Sequence, residues 1–402
     1  MLKASLACLA LVCAAAPAAD WPQWRGPNRD GISRETGLLA AWPAGGPKQA
    51  WKATGLGEGY SSFAVAGSRL YTQGQQGGRS FVLAIDTGTG KQVWKTNTGG
   101  ALDNDRGSGP RGTPTVDGKR LYAIAGDGTL ACLETETGKL VWSASFIKDF
   151  GGRSPHWGFS ESPLVEGENV VVVPGGPGAS IVALNKNTGA VVWKTQSDRA
   201  GYSSLAPFDA GGVRGLAVLT ADAAVGVNAK NGELLWRYTN VANRTANIAT
   251  PVVSGGHVFV STDYGTGCAL LKLTPDGGSV KASEVYFNRD MRNHYTTSVL
   301  LDRTLYGFSS SILTAMDFMT GEVKWRDRSV GKGNCIYADQ RLYCMGEGGA
   351  VGLIEPAPAA YREISRFQID RGGYPTWTPP VVANGKLFLR EQDNLYCFDI
   401  KR

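Results

Sequence analysis

One phrase recurs along this chain, and a chain that repeats a phrase at a period of tens of residues must stack its copies. FVLAIDTGTGKQVW ends at Trp94, LACLETETGKLVW at Trp142, IVALNKNTGAVVW at Trp193, AVGVNAKNGELLW at Trp236 and ILTAMDFMTGEVKW at Trp325. Each copy reads as an apolar strand, a Thr-Gly or Asn-Gly turn, and a second strand carrying Trp, which is a β-hairpin. Degenerate copies keep the rhythm at 268–282 and 351–365. Upstream of each hairpin lies another strand pair, clearest in TPTVDGKRLYAIAGDG (113–128), SPLVEGENVVVVPGG (162–176), TPVVSGGHVFVSTDYG (250–265) and TPPVVANGKLFLREQ (378–392). Four further copies begin near Phe63, Ala206, Thr297 and Asn334, so the chain holds eight.

Units of roughly 37 to 51 residues with four strands each match one blade of a propeller. The expected fold is all-β: an eight-bladed β-propeller of four-stranded antiparallel blades. A ring also explains the ragged ends. The last copy, NLYCFDIKR, stops at Arg402 before its turn and Trp strand, while PKQAWKAT near the N-terminus offers a Trp strand without a hairpin. Trp51's strand is therefore expected to complete the final blade and close the ring, leaving no open sheet edge.

Composition agrees. The 402 residues include 54 Gly, 19 Pro and 11 Trp, as expected of many short strands joined by tight turns. Residues 1–19 have the order of a secretory signal peptide: Lys3, an apolar run from Leu6 to Ala16, then small residues near Ala18 and Ala19. Cys13 follows Ala-Leu-Val, a poor lipoprotein processing sequence, so a soluble periplasmic or secreted product is expected. The division is then a leader (1–19), an N-terminal extension (20–46) and the propeller (47–402). No later segment is long and apolar enough to span a bilayer. A formal charge of +6, spread without a basic run among aromatics, excludes a nucleic-acid-binding stripe, and a monomer is expected.

Removing the leader leaves Cys132, Cys268, Cys335, Cys344 and Cys397. Cys335 and Cys344 flank an expected Asp339-Gln340 hairpin turn and would face each other at a non-hydrogen-bonded position, either as a disulfide or as two buried thiols. No CxxC, HExxH, GxSxG or phosphate loop occurs.

The phrase [Leu/Val]-x-Ala-[Leu/Ile]-[Asp/Asn]-x-x-[Thr/Asn]-Gly-x-x-x-Trp, best matched at Ala84 to Trp94 and Ala183 to Trp193, resembles the repeat of pyrroloquinoline-quinone (PQQ) propellers. WPQWRGPNRDG (21–31) and GEGYSSFAVAGSRLYTQG (57–74) resemble PQQ-like propellers that bacteria export. That superfamily holds quinoprotein dehydrogenases and also non-enzymatic scaffolds such as the outer-membrane assembly propeller lipoprotein. The repeat residues are expected to be structural, with each Trp packed between blades.

Chemistry on a propeller gathers at the channel mouth, where loops enter the innermost strands. Alignment of those strands places Ser61, Gly112, Glu161, Leu205, Ala249, Thr296, Gly333 and Trp377 at one position, of which only Glu161 is a carboxylate. A dehydrogenase of the resembled kind would need calcium, a base, an arginine and an aromatic plane beside PQQ. By residue type and loop, Glu161 and Asn247 would bind the metal, Asp290 would be the base, Arg111 or Arg292 the cation, and Trp157 or Trp377 the plane. The plainer readings are that Glu161 pairs with an arginine, Asn247 caps a turn and Trp157 anchors its loop. The adjacent-cysteine pair of many alcohol-oxidising members and a haem-attachment CxxCH are both missing. The leading expectation is a scaffold with a protein partner. A PQQ/calcium dehydrogenase is second, and a glycan or small-molecule binder using Tyr60, Trp157, Tyr202, Tyr295, Tyr374 and Trp377 is third.

Overall fold

A computed structural model describes residues 20–402, so the expected leader lies outside the described residues. The chain forms eight antiparallel sheets arranged as blades: 64–100, 115–145, 164–195, 206–238, 252–288, 299–327, 333–368, and a last blade of 381–399 completed by Lys48–Ala53. In each of the first seven, the first strand in sequence lies on the channel side and the last lies outermost; in the eighth these are Val381–Ala383 and Lys48–Ala53. The outermost strand carries Trp in every blade except the fifth and seventh. Lys48–Ala53 pairs antiparallel with Asn394–Asp399, and Trp51 lies opposite Cys397, so the N-terminal strand closes the ring as expected. Among the described residues no helix is long and apolar enough to cross a membrane.

The recurring phrase is explained by its packing. Asp86 Oδ1 accepts bonds from the Thr89 amide and hydroxyl, while the Gly90 amide donates to the Asp86 carbonyl and Gly90 adopts φ 71°. That fixes the turn, and the turn fixes the next contact. The Trp51 ring lies against Gly90, where a Cβ would meet it at 2.6 Å, and its Nε1 donates to the Thr87 carbonyl at 3.0 Å. Trp94 repeats this on Gly138 and Thr135, Trp142 on Gly189 and Lys186, and Trp193 on Gly232 and Ala229. Each of these four Trp therefore belongs to one blade and covers the turn of the next, whereas Trp236 lies against Gly226 of its own blade. Where the fifth blade lacks Trp, Tyr286 covers Gly321 and its hydroxyl donates to the Phe318 carbonyl. Aliphatic side chains fill the space between blades, as where Tyr122, Ile124 and Cys132 meet Val170, Val182 and Leu184. Fully burying each such Leu, Val or Ile is worth about 1.5–3 kcal/mol.

Counting back from the hairpin between the first two strands of each blade corrects one alignment. Seven of the eight aligned residues lie five positions before the closing pair, for example Ser61 before Ala66–Arg69 and Glu161 before Glu166–Asn169. In the last blade the closing pair is Ala383–Lys386, so the equivalent residue is Thr378 and not Trp377. Glu161 remains the one carboxylate at this level.

The Asp339-Gln340 turn is present, with φ of 41° and 63°, and Cys335 lies opposite Cys344 in the register. Both are buried free thiols, as are Cys132, Cys268 and Cys397. The second of the two cysteine readings is the one the structure takes.

The N-terminal extension runs into the channel. Trp21 bridges Val65, and Ile32–Ser33 adds a parallel fifth strand to the inner edge of Gly333–Ala338. Between them Arg29 donates to the carbonyls of Ser162, Pro163 and Leu205, leading into the third and fourth blades, and Arg25 to those of Thr297 and Ser298, leading into the sixth. Trp24 Nε1 donates to Thr250 Oγ1 at 3.0 Å. The segment thus spans the channel and blocks it.

Candidate functional site at the channel mouth

Above this plug lies a cavity of about 490 Å³. Trp24 contributes to its lining from the plug, and each of the eight loops entering an inner strand contributes at least one residue. Its wall holds seven aromatic rings, Trp24, Tyr60, Trp157, Tyr202, Tyr264, Tyr295 and Trp377, together with His294 and the cations Arg106, Arg111 and Lys332. Among the described residues no Asp, Glu, Asn or Gln lines it.

Five of the rings form two groups. Tyr60 stacks on Trp377 with centroids 4.8 Å apart at 30°, and Tyr295 continues the row 5.7 Å from Trp377. Trp157 and Tyr202 pair at 5.8 Å. Arg111 links the groups: its guanidinium stands 4.9 Å over Tyr60 and 5.9 Å over Trp377, while its Nε donates to the Trp157 carbonyl at 2.6 Å and Nη2 to the Gly107 carbonyl at 2.8 Å. Such placement over ring faces is a cation–π arrangement. Burial lowers the Arg111 pKa and raises that of Tyr60 to about 12, so the Tyr60 hydroxyl stays protonated at neutral pH. His294 is held neutral, its pKa lowered to about 4 by burial and by the charge of Lys332. Its Nε2 meets the Tyr264 hydroxyl at 2.8 Å, and its buried Nδ1 has no hydrogen-bond partner among the described residues.

The structure brings together Arg111, Trp157 and Trp377 of the residues singled out in the sequence. The rest lie elsewhere. Glu161 is buried behind the wall, where its Oε1 accepts the Val173 amide at 2.5 Å and its Oε2 has no partner among the described residues. Desolvation pushes its pKa up to about 8, opposed by that amide and by the charge of Arg29 in the plug. Asn247 is spent on holding its loop to the fourth blade: Nδ2 donates to the carbonyls of Thr220 and Ala221 in that blade's hairpin turn and of Asn243 in its own loop, and Oδ1 accepts the Asn243 amide. Asp290 pairs with Arg326 at 2.5 Å on the surface, and Arg292 is not part of the cavity wall. Of the six aromatic residues proposed for ring stacking, all but the exposed Tyr374 line the cavity.

A calcium–quinone centre is therefore not matched by this donor set. A hard cation takes six to eight oxygen ligands, whereas neither Glu161 nor Asn247 reaches the cavity wall. Among the described residues no three His, Cys, Asp or Glu side chains gather around a metal position.

Sequence reasoning missed Trp24, Tyr264 and Lys332. Trp24 stands in the extension, which carries no repeat period. Tyr264 occupies a hairpin turn at φ 56°, between strands and not before an inner strand. Lys332 was visible in the VGKGN loop but carried no distinguishing pattern.

An eight-bladed ring closed by its N-terminal strand, with an aromatic mouth and Trp-over-turn packing, defines a PQQ-like β-propeller. The chain belongs to the PQQ_2 family, described as outer membrane protein assembly factor BamB, which matches residues 78–327. The outer membrane protein assembly factor BamB of Shewanella oneidensis is 25% identical over 367 residues, covering 77% of this chain and 89% of that protein. Two solved structures share the fold. BamB from Moraxella catarrhalis superposes with TM-score 0.61 at 16% identity, covering 88% of this chain and 98% of that one. Quinohemoprotein alcohol dehydrogenase from Comamonas testosteroni gives 0.66 at 13%, covering 94% and 80%.

Proposed function

We propose that this chain is an exported, non-enzymatic binding scaffold that takes part in outer membrane protein assembly, with the channel mouth as its binding site. The observation that carries the reading is the composition of that mouth in a chain of this family. All eight blades deliver side chains to it, yet they deliver rings and cations without a carboxylate base or a metal donor set. Such a surface can hold a ligand or a partner's side chains, and its one histidine, His294, is a weak base with its pKa lowered to about 4 and no carboxylate in the wall to orient it. Deleting the gene should lower the abundance of proteins in the outer-membrane fraction, measured by quantitative mass spectrometry. An unchanged outer-membrane proteome would overturn the assembly role.

The dehydrogenase reading draws support from the stacked rings and Arg111, which suit a flat ligand, and lacks support for its metal. Purified protein supplied with PQQ, calcium and a panel of alcohols and sugars should reduce no acceptor dye. Steady dye reduction would replace the scaffold reading with an enzymatic one.

A further inference from the structure

We propose that the channel mouth binds a small carboxylate carried on a flat ring, with Arg111 as the carboxylate anchor. This rests on the mouth being a binding site and deepens it by naming a ligand class.

The wall is rich in donors and poor in acceptors. Arg106, Arg111 and Lys332 bring positive charge, and the side chains that could accept strongly, carboxylates and amides, are missing from the lining. A neutral polyol brings hydroxyl donors that such a wall leaves underused. An oxyanion brings acceptors alone and matches it.

The cations differ in what already neutralises them. Arg106 sits in an exposed pair with Asp105 at 3.8 Å, and Lys332 is 3.5 Å from Glu347, which also accepts the Trp377 indole N–H. Arg111 has no carboxylate within ion-pair distance among the described residues, and only its Nε and Nη2 donate to the protein. A guanidinium drawn out of water and left without a counter-charge is costly, and a carboxylate arriving from solution removes that cost. Nη1 and the second Nη2 proton remain for it, which is the bidentate geometry arginine favours with carboxylates.

The ring is required by the remainder of the wall. Arg111 lies over the faces of Tyr60 and Trp377 and is tied through Nε to the carbonyl of Trp157, whose ring pairs with Tyr202, so a carboxylate bound to it carries its attached group into a wall rich in aromatic rings. Such faces take up another aromatic plane, or the C–H face of a sugar. About 490 Å³ lies within the range of small-molecule sites and admits one to a few rings. The chemistry is shared by two sources, an aromatic acid and a uronic-acid sugar.

Titration calorimetry on the purified 20–402 chain separates them. One arm compares indole-3-acetate with indole-3-acetamide, and the other compares digalacturonate with its methyl ester. At least one carboxylate should bind, with its neutral counterpart about tenfold weaker or worse, and the arm that binds names the source. Arg111→Gln should weaken binding about tenfold or more, and Lys332→Gln should weaken it less. Absence of binding in both arms overturns the inference, as does equal affinity for acid and neutral counterpart in the unsubstituted chain, whatever the variants do. Either result leaves the assembly role standing, since that role is read from the outer-membrane proteome.

Discussion

Glu161 stands alone among eight equivalent positions, and its surroundings show what that singularity means. It is turned away from the cavity, buried beside the Val173 amide and within electrostatic reach of Arg29. Arg29 is itself buried, its pKa lowered to about 9 by desolvation, and it caps carbonyls of the third and fourth blades. The carboxylate thus belongs to the plug. Its pKa of about 8 exceeds the ordinary 4.5, so the folded state holds the proton more tightly than the unfolded one. Stability from this group is fully present below pH 4.5 and is lost as pH rises through about 8. Glu161→Gln keeps the acceptor for Val173 and abolishes the titration. The variant should match the wild type near pH 5 and melt about 2 °C or more higher at pH 8.5, followed by circular dichroism. A constant difference in Tm across that range would refute the assignment. The sequence showed that Glu161 was unusual but not why, because its neighbour Arg29 lies 132 positions away in a segment without a repeat.

At the scale of the strand and hairpin, period and turn chemistry were legible because they are local. Asp86, Thr89, Gly90 and Trp94 lie within one hairpin, and their spacing states the fold. What spacing could not state was that the Trp of one blade covers the glycine of the next, a contact between repeats. The closing blade obeys the same rule, since Trp51 covers Gly90 just as Trp94 covers Gly138. Removing 48–53 should therefore cost more than one strand's hydrogen bonds: it uncovers the Asn394–Asp399 edge and the first blade's turn together. The truncated protein should melt at least 10 °C lower and form oligomers on size-exclusion chromatography. An unchanged melting temperature would sink the closure. The cysteine hairpin offers a second check. With all five thiols of 20–402 free and buried, iodoacetamide should add few groups to the native protein and five in denaturant without reductant. Three would reveal the disulfide.

The whole ring is held at its junction by more than the closing strand. Arg390 is fully buried between the last blade and the first, donating to the carbonyls of Gly57, Ser61, Gln73 and Gln392 and to Thr72 Oγ1. Burial lowers its pKa to about 10, so it remains charged at neutral pH. The plug is a third tie, and it differs from the others in kind. Arg25 bonds to carbonyls of the sixth blade and Arg29 to carbonyls of the third and fourth, so the segment ties non-adjacent blades together and floors the cavity with Trp24. Water can solvate the same carbonyls once the plug is gone, whereas nothing replaces the strand at the closing blade. Deleting 20–33 should accordingly leave the β-sheet spectrum intact and lower Tm by a few degrees, less than deletion of 48–53. It should also weaken binding of the preferred ring carboxylate, because the cavity opens into the channel and Trp24 leaves its wall. A truncated chain that bound the ligand as tightly as the full one would show that the mouth is complete without its floor, and would reduce the plug to a brace.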